Sequence, residues 1–112
     1  MTENRGEYNA ARFGELQALV QGHCDFWVSR GQWKWPNLQD ALMFLVTEVG
    51  ETLDAYLRTE TAGYIRNQER KRDLTEELAD VVFMTLVAAC LLGTDLEGKL
   101  CAKLERKSAG ME

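Results

Sequence analysis

Apolar side chains recur along this chain at steps of three and four residues, the spacing that places them on one face of a helix. The first predicted helix runs from about Asn9 to Ser29. A break follows from Arg30 to Pro36, where glycine and the single proline interrupt the pattern. The buried stripe of this helix is predicted to be Phe13, Leu16, Val20, His23 and Trp27.

The second predicted helix begins after Asn37 and runs to about Thr59. Asn37 can cap its free amides, and Asp40 stands at the capping-box position. The stripe predicted to face the core is Leu38, Leu42, Leu45, Val49, Leu53 and Tyr56. An adjoining stripe, Phe44, Glu48, Glu51 and Ala55, places acidic side chains at the border of the core.

Two further helices complete the pattern after a polar connector from Glu60 to Arg72, for which a partly helical structure is an open alternative. Asp73 is predicted to cap the third helix, and Gly93 is predicted to end it. Thr94, with Glu97 three residues later, is predicted to open a fourth helix that runs to about Lys107. The arginines of the connector are Arg66, Arg70 and Arg72, for which a solvated role is favoured over phosphate binding.

The fold expected from this pattern is all-α, with a four-helix-bundle-like protomer. The chain has 112 residues, which suits a single domain over residues 1–112. Helices two and three carry more apolar surface than one small bundle can bury, so the protomer is expected to assemble as a homodimer or homotetramer.

Charge and composition exclude several classes of function. The net charge is −5 and no basic block is present, so no nucleic-acid partner is expected. The polar start lacks the apolar core of a signal peptide, which predicts a cytoplasmic protein. The longest uncharged run, Val81 to Leu92, is too short to cross a bilayer, so no membrane association is expected.

The three cysteines, Cys24, Cys90 and Cys101, are widely spaced and form no Cys-x-x-Cys motif. They are expected to be reduced packing residues.

Two acidic pairs, Glu48/Glu51 and Glu77/Asp80, lie at three-residue spacing inside the most apolar stretches of the chain. Residues three apart share a helix face, so two packed helices could direct four carboxylates at one point. Mg²⁺ prefers such oxygen ligands, and Mn²⁺ is the alternative. A di-iron bundle would require Glu-x-x-His, which is absent. The competing interpretation is two ordinary solvated acidic faces.

Gly50 lies between the two acids of the first pair. A glycine inside a helix costs about 1 kcal/mol relative to alanine. Close approach of another backbone or of a ligand would explain it, and a merely tolerated glycine is equally compatible with the sequence.

The run Glu48-Val-Gly-Glu51 followed by Glu77-Leu-Ala-Asp80 resembles the MazG-like all-alpha nucleoside triphosphate pyrophosphohydrolases, in particular the MazG and small dCTPase-like members. The resemblance extends to three further segments. They are Asn37-Leu-Gln-Asp-Ala-Leu before the first acidic pair, Val-Val directly after Asp80, and Thr94-Asp-Leu with the later Lys103. Thr47 departs from the pattern, because many MazG proteins have a second glutamate there.

The resemblance implies that Glu48, Glu51, Glu77 and Asp80 bind Mg²⁺ and serve catalysis. It implies that Lys103 lies near the substrate phosphates and that Asn37 contacts the substrate. It also implies that Trp33 or Trp35 stacks on the base, with packing at the helix junction as the alternative for these indoles. The implied reaction converts a nucleoside triphosphate to its monophosphate and pyrophosphate, in nucleotide-pool cleaning. Two alternatives stay open: a phosphoribosyl-ATP pyrophosphohydrolase, and a non-catalytic metal-binding helical interaction module.

Overall fold

The computed structural model of the protein describes residues 12–57 and 68–110, except for the side chains of residues 68–72. Its four helices are α1 (Phe13–Ser29), α2 (Leu38–Leu57), α3 (Gln68–Leu92) and α4 (Leu96–Ser108). No strand occurs within these described ranges. The predicted all-α fold with four helices is confirmed.

Several helix ends follow the predicted chemistry. The break after α1 contains Gly31, whose φ of 71° is accessible to glycine at little cost. At the start of α2, Asp40 N donates to the Asn37 side-chain oxygen at 2.7 Å, which confirms the predicted cap. Gly93 follows α3 with a φ of 66° and ends that helix as predicted.

Two predicted helix starts are wrong. Asp73 does not cap α3, because the helix already begins at Gln68. Thr94 does not cap α4 either, since the Asp95 side chain accepts from Gly98 N at 3.1 Å. The predicted first residue of α1, the end of α2 near Thr59 and most of the connector after it lie outside the described residues.

The chain divides into two compact units, and the first contains α1, the loop to Trp35 and the chain from Ala89 onward. The start of α1 is held by Glu97, whose side chain accepts from Gly14 N at 3.1 Å. One turn further, Gln17 donates its side-chain amide to Thr94 O at 2.7 Å. The polar contacts of Glu97 therefore serve α1 and not the predicted capping box of α4.

The cysteines belong to this first unit, and all three are free thiols. Cys24 is 2% exposed, and burial raises the pKa of its thiol to about 11, with the nearby Cys90 and Asp25 adding to the effect. The packing role expected of Cys24 fits this burial. For Cys101 the expectation is wrong, because its side chain is exposed on α4.

The second unit runs from Pro36 to Ala88 and contains α2 with most of α3. On α2 the less exposed face carries Ala41, Leu45 and Glu48. Leu42, Val49 and Leu53, which were predicted to face the core, are about half exposed. The predicted orientation of α2 is therefore wrong in part, because the helix turns its acidic face and not its apolar stripe toward α3.

No single helix in the described ranges is long and apolar enough to span a membrane. Only α3 from Asp73 onward and α4, taken together across a sharp bend, have the required length and apolar composition. The single-domain organisation and the homo-oligomer stay predictions.

Candidate active site

Carboxylates from α2 and α3 meet within the second unit. Glu48 and Glu51 come from α2 and Glu77 from α3, and one oxygen of each lies within 4.8 Å of the others. Asp80, one helical turn after Glu77, is close enough for its charge to act on Glu48. The structure thus brings Glu48, Glu51 and Glu77 together. We call these three residues, with Asp80, the carboxylate cluster.

Two oxygens of the carboxylate cluster are buried without a hydrogen-bond partner among the described residues. They are Oε2 of Glu48 and Oε2 of Glu77. A buried carboxylate oxygen without a partner is costly, because it has lost its water and gained nothing in return. Two such atoms on facing helices indicate a position where a cation would supply the missing interaction.

Electrostatics within the cluster point the same way. Partial burial raises the pKa of Glu48, and the negative charges of Glu51, Asp80 and Glu77 raise it further. A hydrogen bond between the side chains of Glu48 and Glu51 favours the protonated form of Glu48 as well. Without a cation, burial and the neighbouring charges therefore favour the protonated form of Glu48.

The donor set suits a hard divalent cation. All members of the cluster are carboxylates, and the grouping contains no imidazole or thiolate. Mg²⁺ and Mn²⁺ accept such oxygen ligands, whereas zinc and copper sites usually draw on nitrogen or sulfur. The residues therefore fit the predicted Mg²⁺, and their roles as metal ligands and catalytic groups stay predictions.

The two threonines beside the acids of α2 use their hydroxyl groups in hydrogen bonds to backbone carbonyl oxygens of the same helix. Thr52 donates its hydroxyl to Glu48 O at 2.8 Å, and Thr47 donates to Met43 O at 3.1 Å. Thr47, which stands where many MazG proteins have a second glutamate, therefore bonds to its own helix. Among the described residues, no further carboxylate joins this grouping.

The predicted base-binding tryptophans belong to the first unit. Trp35 donates its indole N–H to Asp25 at 2.8 Å, and Trp33 packs edge-on against Trp35 with ring centres 5.3 Å apart. Trp33 is 36% exposed. Asp25 was missed by the sequence reasoning; the available signal was that a half-buried indole N–H needs an acceptor.

The other two predicted substrate contacts, Asn37 and Lys103, belong to different units. Asn37 lies in the second unit, where its side chain caps α2. Lys103 lies in the first unit, with its side chain exposed on α4. Capping of α2 gives Asn37 a structural role. The substrate roles of Asn37 and Lys103 stay predictions.

The sequence model of the phosphoribosyl-ATP pyrophosphohydrolase family matches residues 32–108. The chain belongs to this family. The matched segment contains the whole carboxylate cluster together with Trp33, Trp35, Asn37 and Lys103, and it takes in parts of both units. No curated protein and no solved structure matches the chain.

Membership of the phosphoribosyl-ATP pyrophosphohydrolase family confirms the resemblance to the MazG-like superfamily, to which this family belongs. The narrower MazG and small dCTPase-like branch stays a prediction. Enzymes of the family hydrolyse a phosphoric anhydride bond, so the match supports pyrophosphohydrolase activity on a nucleotide-like substrate.

Proposed function

We propose that this protein is a Mg²⁺-dependent nucleotide pyrophosphohydrolase that converts a ribo- or deoxyribonucleoside triphosphate to the monophosphate and pyrophosphate. The observation that carries the proposal is the carboxylate cluster, inside a segment that matches a pyrophosphohydrolase family. Two of its oxygens are buried and have no hydrogen-bond partner among the described residues. We further propose a cytoplasmic role in nucleotide-pool cleaning.

The proposed reaction consumes one water molecule. Its oxygen forms a bond to phosphorus, the anhydride bond between the α- and β-phosphates breaks, and the water protons are shared between the products and solvent. Glu48, Glu51, Glu77 and Asp80, carried by α2 and α3, would hold the cation. Mg²⁺ would neutralise phosphate charge and favour deprotonation of the attacking water.

The proposed substrate contacts come from the resemblance. Lys103 supplies positive charge for the phosphates, Asn37 lies at the entry to α2, and an indole ring stacks on the base. Between the two indoles, Trp33 is better suited to stacking, because its ring is exposed while the N–H of Trp35 is already bonded to Asp25.

A second candidate substrate is phosphoribosyl-ATP, which the matching family is named for. This molecule carries the same triphosphate anhydride bonds, so the carboxylate cluster would serve either substrate. The alternative from a different class is a non-catalytic helical module, in which the acids hold a structural cation.

The deciding experiment measures pyrophosphate release from a panel of ribo- and deoxyribonucleoside triphosphates and from phosphoribosyl-ATP, with Mg²⁺ and with EDTA. We expect metal-dependent release that ranks the substrates. Release from phosphoribosyl-ATP alone would establish the second candidate. No release from any compound by folded protein would overturn both enzyme proposals.

Variants of the carboxylate cluster separate catalysis from structure. Glu51→Gln and Asp80→Asn should lower turnover by more than the roughly 10- to 100-fold typical of losing a residue that only supports a metal ligand. Glu105→Gln removes an exposed acid from α4 and serves as the matched control. If the cluster variants unfold while the control stays folded, the acids are structural.

A further inference from the structure

A carboxylate in the first unit, outside the carboxylate cluster, holds an indole ring. Asp25 lies on α1, and its Oδ1 accepts a hydrogen bond from the indole N–H of Trp35 at 2.8 Å. A carboxylate acceptor makes a stronger hydrogen bond than a neutral oxygen does. Trp35, which lies in the loop between α1 and α2, is therefore anchored to the regular backbone of α1.

This hydrogen bond explains why an acid occupies position 25. The side chain of Asp25 is exposed, so its carboxylate could remain in water, and aspartate is one of the poorer helix formers inside a helix. Neither property of the residue favours α1 itself. The contact with Trp35 is what Asp25 gains in the folded chain, so the role of position 25 lies in the ring that it holds.

The ring of Trp35 in turn restrains a second indole. Trp33 packs edge-on against it, with ring centres 5.3 Å apart and ring planes at 65°. Such a contact is favourable because the positive edge of one ring meets the negative face of the other. A Trp35 ring that is fixed by Asp25 therefore limits the orientations open to Trp33.

Trp33 is the indole proposed above to stack on the base, and it is 36% exposed. A side chain that must become ordered when its ligand binds loses part of the binding free energy to that ordering. Trp33 lies in a loop, so α-helical hydrogen bonds do not hold its backbone. The restraint from Asp25 through Trp35 reduces this loss, because the ring is oriented before the base arrives.

We propose that Asp25 is a positioning residue for substrate binding, which holds the Trp35 indole and so fixes the Trp33 ring on which the base stacks. This inference rests on the proposed function, because that function assigns the base to Trp33. Asp25 acts on binding of the base and not on the metal or the attacking water. Its loss should therefore raise KM and leave kcat nearly unchanged.

Two substitutions of Asp25 test the proposal with the substrate that the wild type prefers. Asp25→Leu removes the acceptor, so KM should rise by about 5- to 10-fold, a part of the stacking energy of one base. Its kcat should stay within about 2-fold of the wild type. Asp25→Asn keeps a carbonyl oxygen that accepts from the indole, so its KM should lie close to that of the wild type. An unchanged KM for Asp25→Leu, or a kcat that falls as much as KM rises, overturns the proposal.

The asparagine variant also separates this role from effects transmitted through the nearby thiols. Burial raises the pKa of Cys24 and of Cys90, and the negative charge of Asp25 adds to this effect at both thiols. Asp25→Asn and Asp25→Leu both remove that charge, so an effect through the thiols would give the two variants the same raised KM, which contradicts the proposal. Glu15→Gln removes an exposed acid from the same helix and should keep the wild-type KM.

A double-mutant cycle tests the route through Trp35. Trp35→Phe removes the indole N–H and keeps a ring that packs against Trp33, so this variant alone should raise KM as Asp25→Leu does, and it serves in its place if Asp25→Leu fails to fold. In the Trp35→Phe background, Asp25→Leu should cause no further rise, because the carboxylate has already lost its donor. Effects on KM that multiply would mean that Asp25 acts by another route, against the proposal.

Tryptophan fluorescence gives a measurement without turnover. Acrylamide should quench the emission of Asp25→Leu more strongly than that of the wild type, since released rings are more accessible. Asp25→Asn should resemble the wild type. Equal quenching in all three proteins would mean that Asp25 does not restrain the indoles, and the proposal would be wrong.

A purely structural role of Asp25 predicts a different result. Asp25→Leu would then lower the free energy of unfolding in urea, while the folded enzyme kept the wild-type KM. That outcome overturns the inference and leaves the proposed function in place. A wild type that hydrolyses none of the substrates overturns the proposed function first, and this inference with it.

Discussion

Glu48 combines two unfavourable conditions in one side chain. Its carboxylate is partly buried, and the charges of Glu51, Asp80 and Glu77 act on it at close range. Both conditions raise its pKa, so the folded protein holds a proton there more tightly than the unfolded chain does. A divalent cation would relieve both conditions, and the metal and the proton therefore compete for the same carboxylate.

The metal-free protein should become less stable as the pH rises through the raised pKa of Glu48. A glutamate in the unfolded chain has a pKa of about 4.3. Between that value and the raised pKa, the folded state binds more protons than the unfolded state, so the free energy of unfolding falls with rising pH. Urea unfolding in EDTA at several pH values measures this slope.

Glu48→Gln isolates the contribution of this carboxyl. The variant cannot titrate at position 48, so its slope should be flatter than that of the wild type, and it should be the more stable protein at neutral pH without metal. With Mg²⁺ present, the free energy of unfolding of the wild type should instead rise with pH, because its affinity for the metal should increase as Glu48 loses its proton. Identical slopes for the two proteins would contradict the raised pKa.

Asn37 has a structural role that can be separated from its predicted substrate role. Asn37→Ala removes the cap on α2 and should lower the free energy of unfolding by about 1 kcal/mol. Asn37→Ser keeps a capping oxygen and should restore most of that loss. If the KM for the substrate rises equally in both variants, Asn37 also contacts the substrate; if it is unchanged in Asn37→Ser, the residue is a cap alone.

At the scale of helices, the sequence predicts breaks better than starts. Gly31 and Gly93 adopt positive φ at the predicted ends, because few other residues enter that region cheaply. The start of α3 was missed because residues 68–72 are polar and show no apolar stripe, although most of them favour helix. Adjacent Thr94 and Asp95 can both cap α4, and only the backbone geometry decides for Asp95.

The orientation of α2 could not be predicted from its own sequence. Periodicity identifies an apolar and an acidic side, and it does not say which side faces the neighbouring helix. The four site acids were predictable as a group, because each pair shares a helix face. The exposure of Leu42 and Leu53, by contrast, depends on what α3 offers opposite α2.

The two capping candidates of α4 can be compared directly by mutation. Asp95→Ala should lower the free energy of unfolding by about 1 kcal/mol, because the amide of Gly98 loses its acceptor. Thr94→Ala should have a smaller effect, since the hydroxyl does not cap the helix. Chemical denaturation of both variants gives the two values, and a larger loss for Thr94→Ala would restore the cap predicted from the sequence.

At the scale of the molecule, the family match extends over residues 32–108 and the carboxylate cluster lies entirely in one of the two units. In the folded second unit, the acids of α2 and α3 lie close together whether or not a cation is bound. The cluster therefore weakens the metal-free fold, and cation binding restores that loss through mass action.

Mg²⁺ should raise the thermal unfolding temperature of the wild type in proportion to the logarithm of its concentration. At a Mg²⁺ concentration 100 times the Kd, the gain in free energy of unfolding is about 2.7 kcal/mol. Asp80→Asn should lose most of this gain, whereas Glu105→Gln should retain it. Differential scanning fluorimetry across a Mg²⁺ titration gives the comparison, and equal shifts in both variants would exclude the cluster as the binding site.

The three cysteines differ in their exposure to solvent, so a thiol reagent should label the protein at one position. With a pKa of about 11, only roughly one Cys24 in ten thousand is a thiolate at neutral pH, and the side chain is also shielded from reagents. Burial raises the pKa of Cys90 too, and its thiol donates to Gln17 O at 3.5 Å. Cys101 is exposed. A maleimide dye should therefore attach to Cys101 of the unmodified protein, giving a single fluorescent reporter on α4.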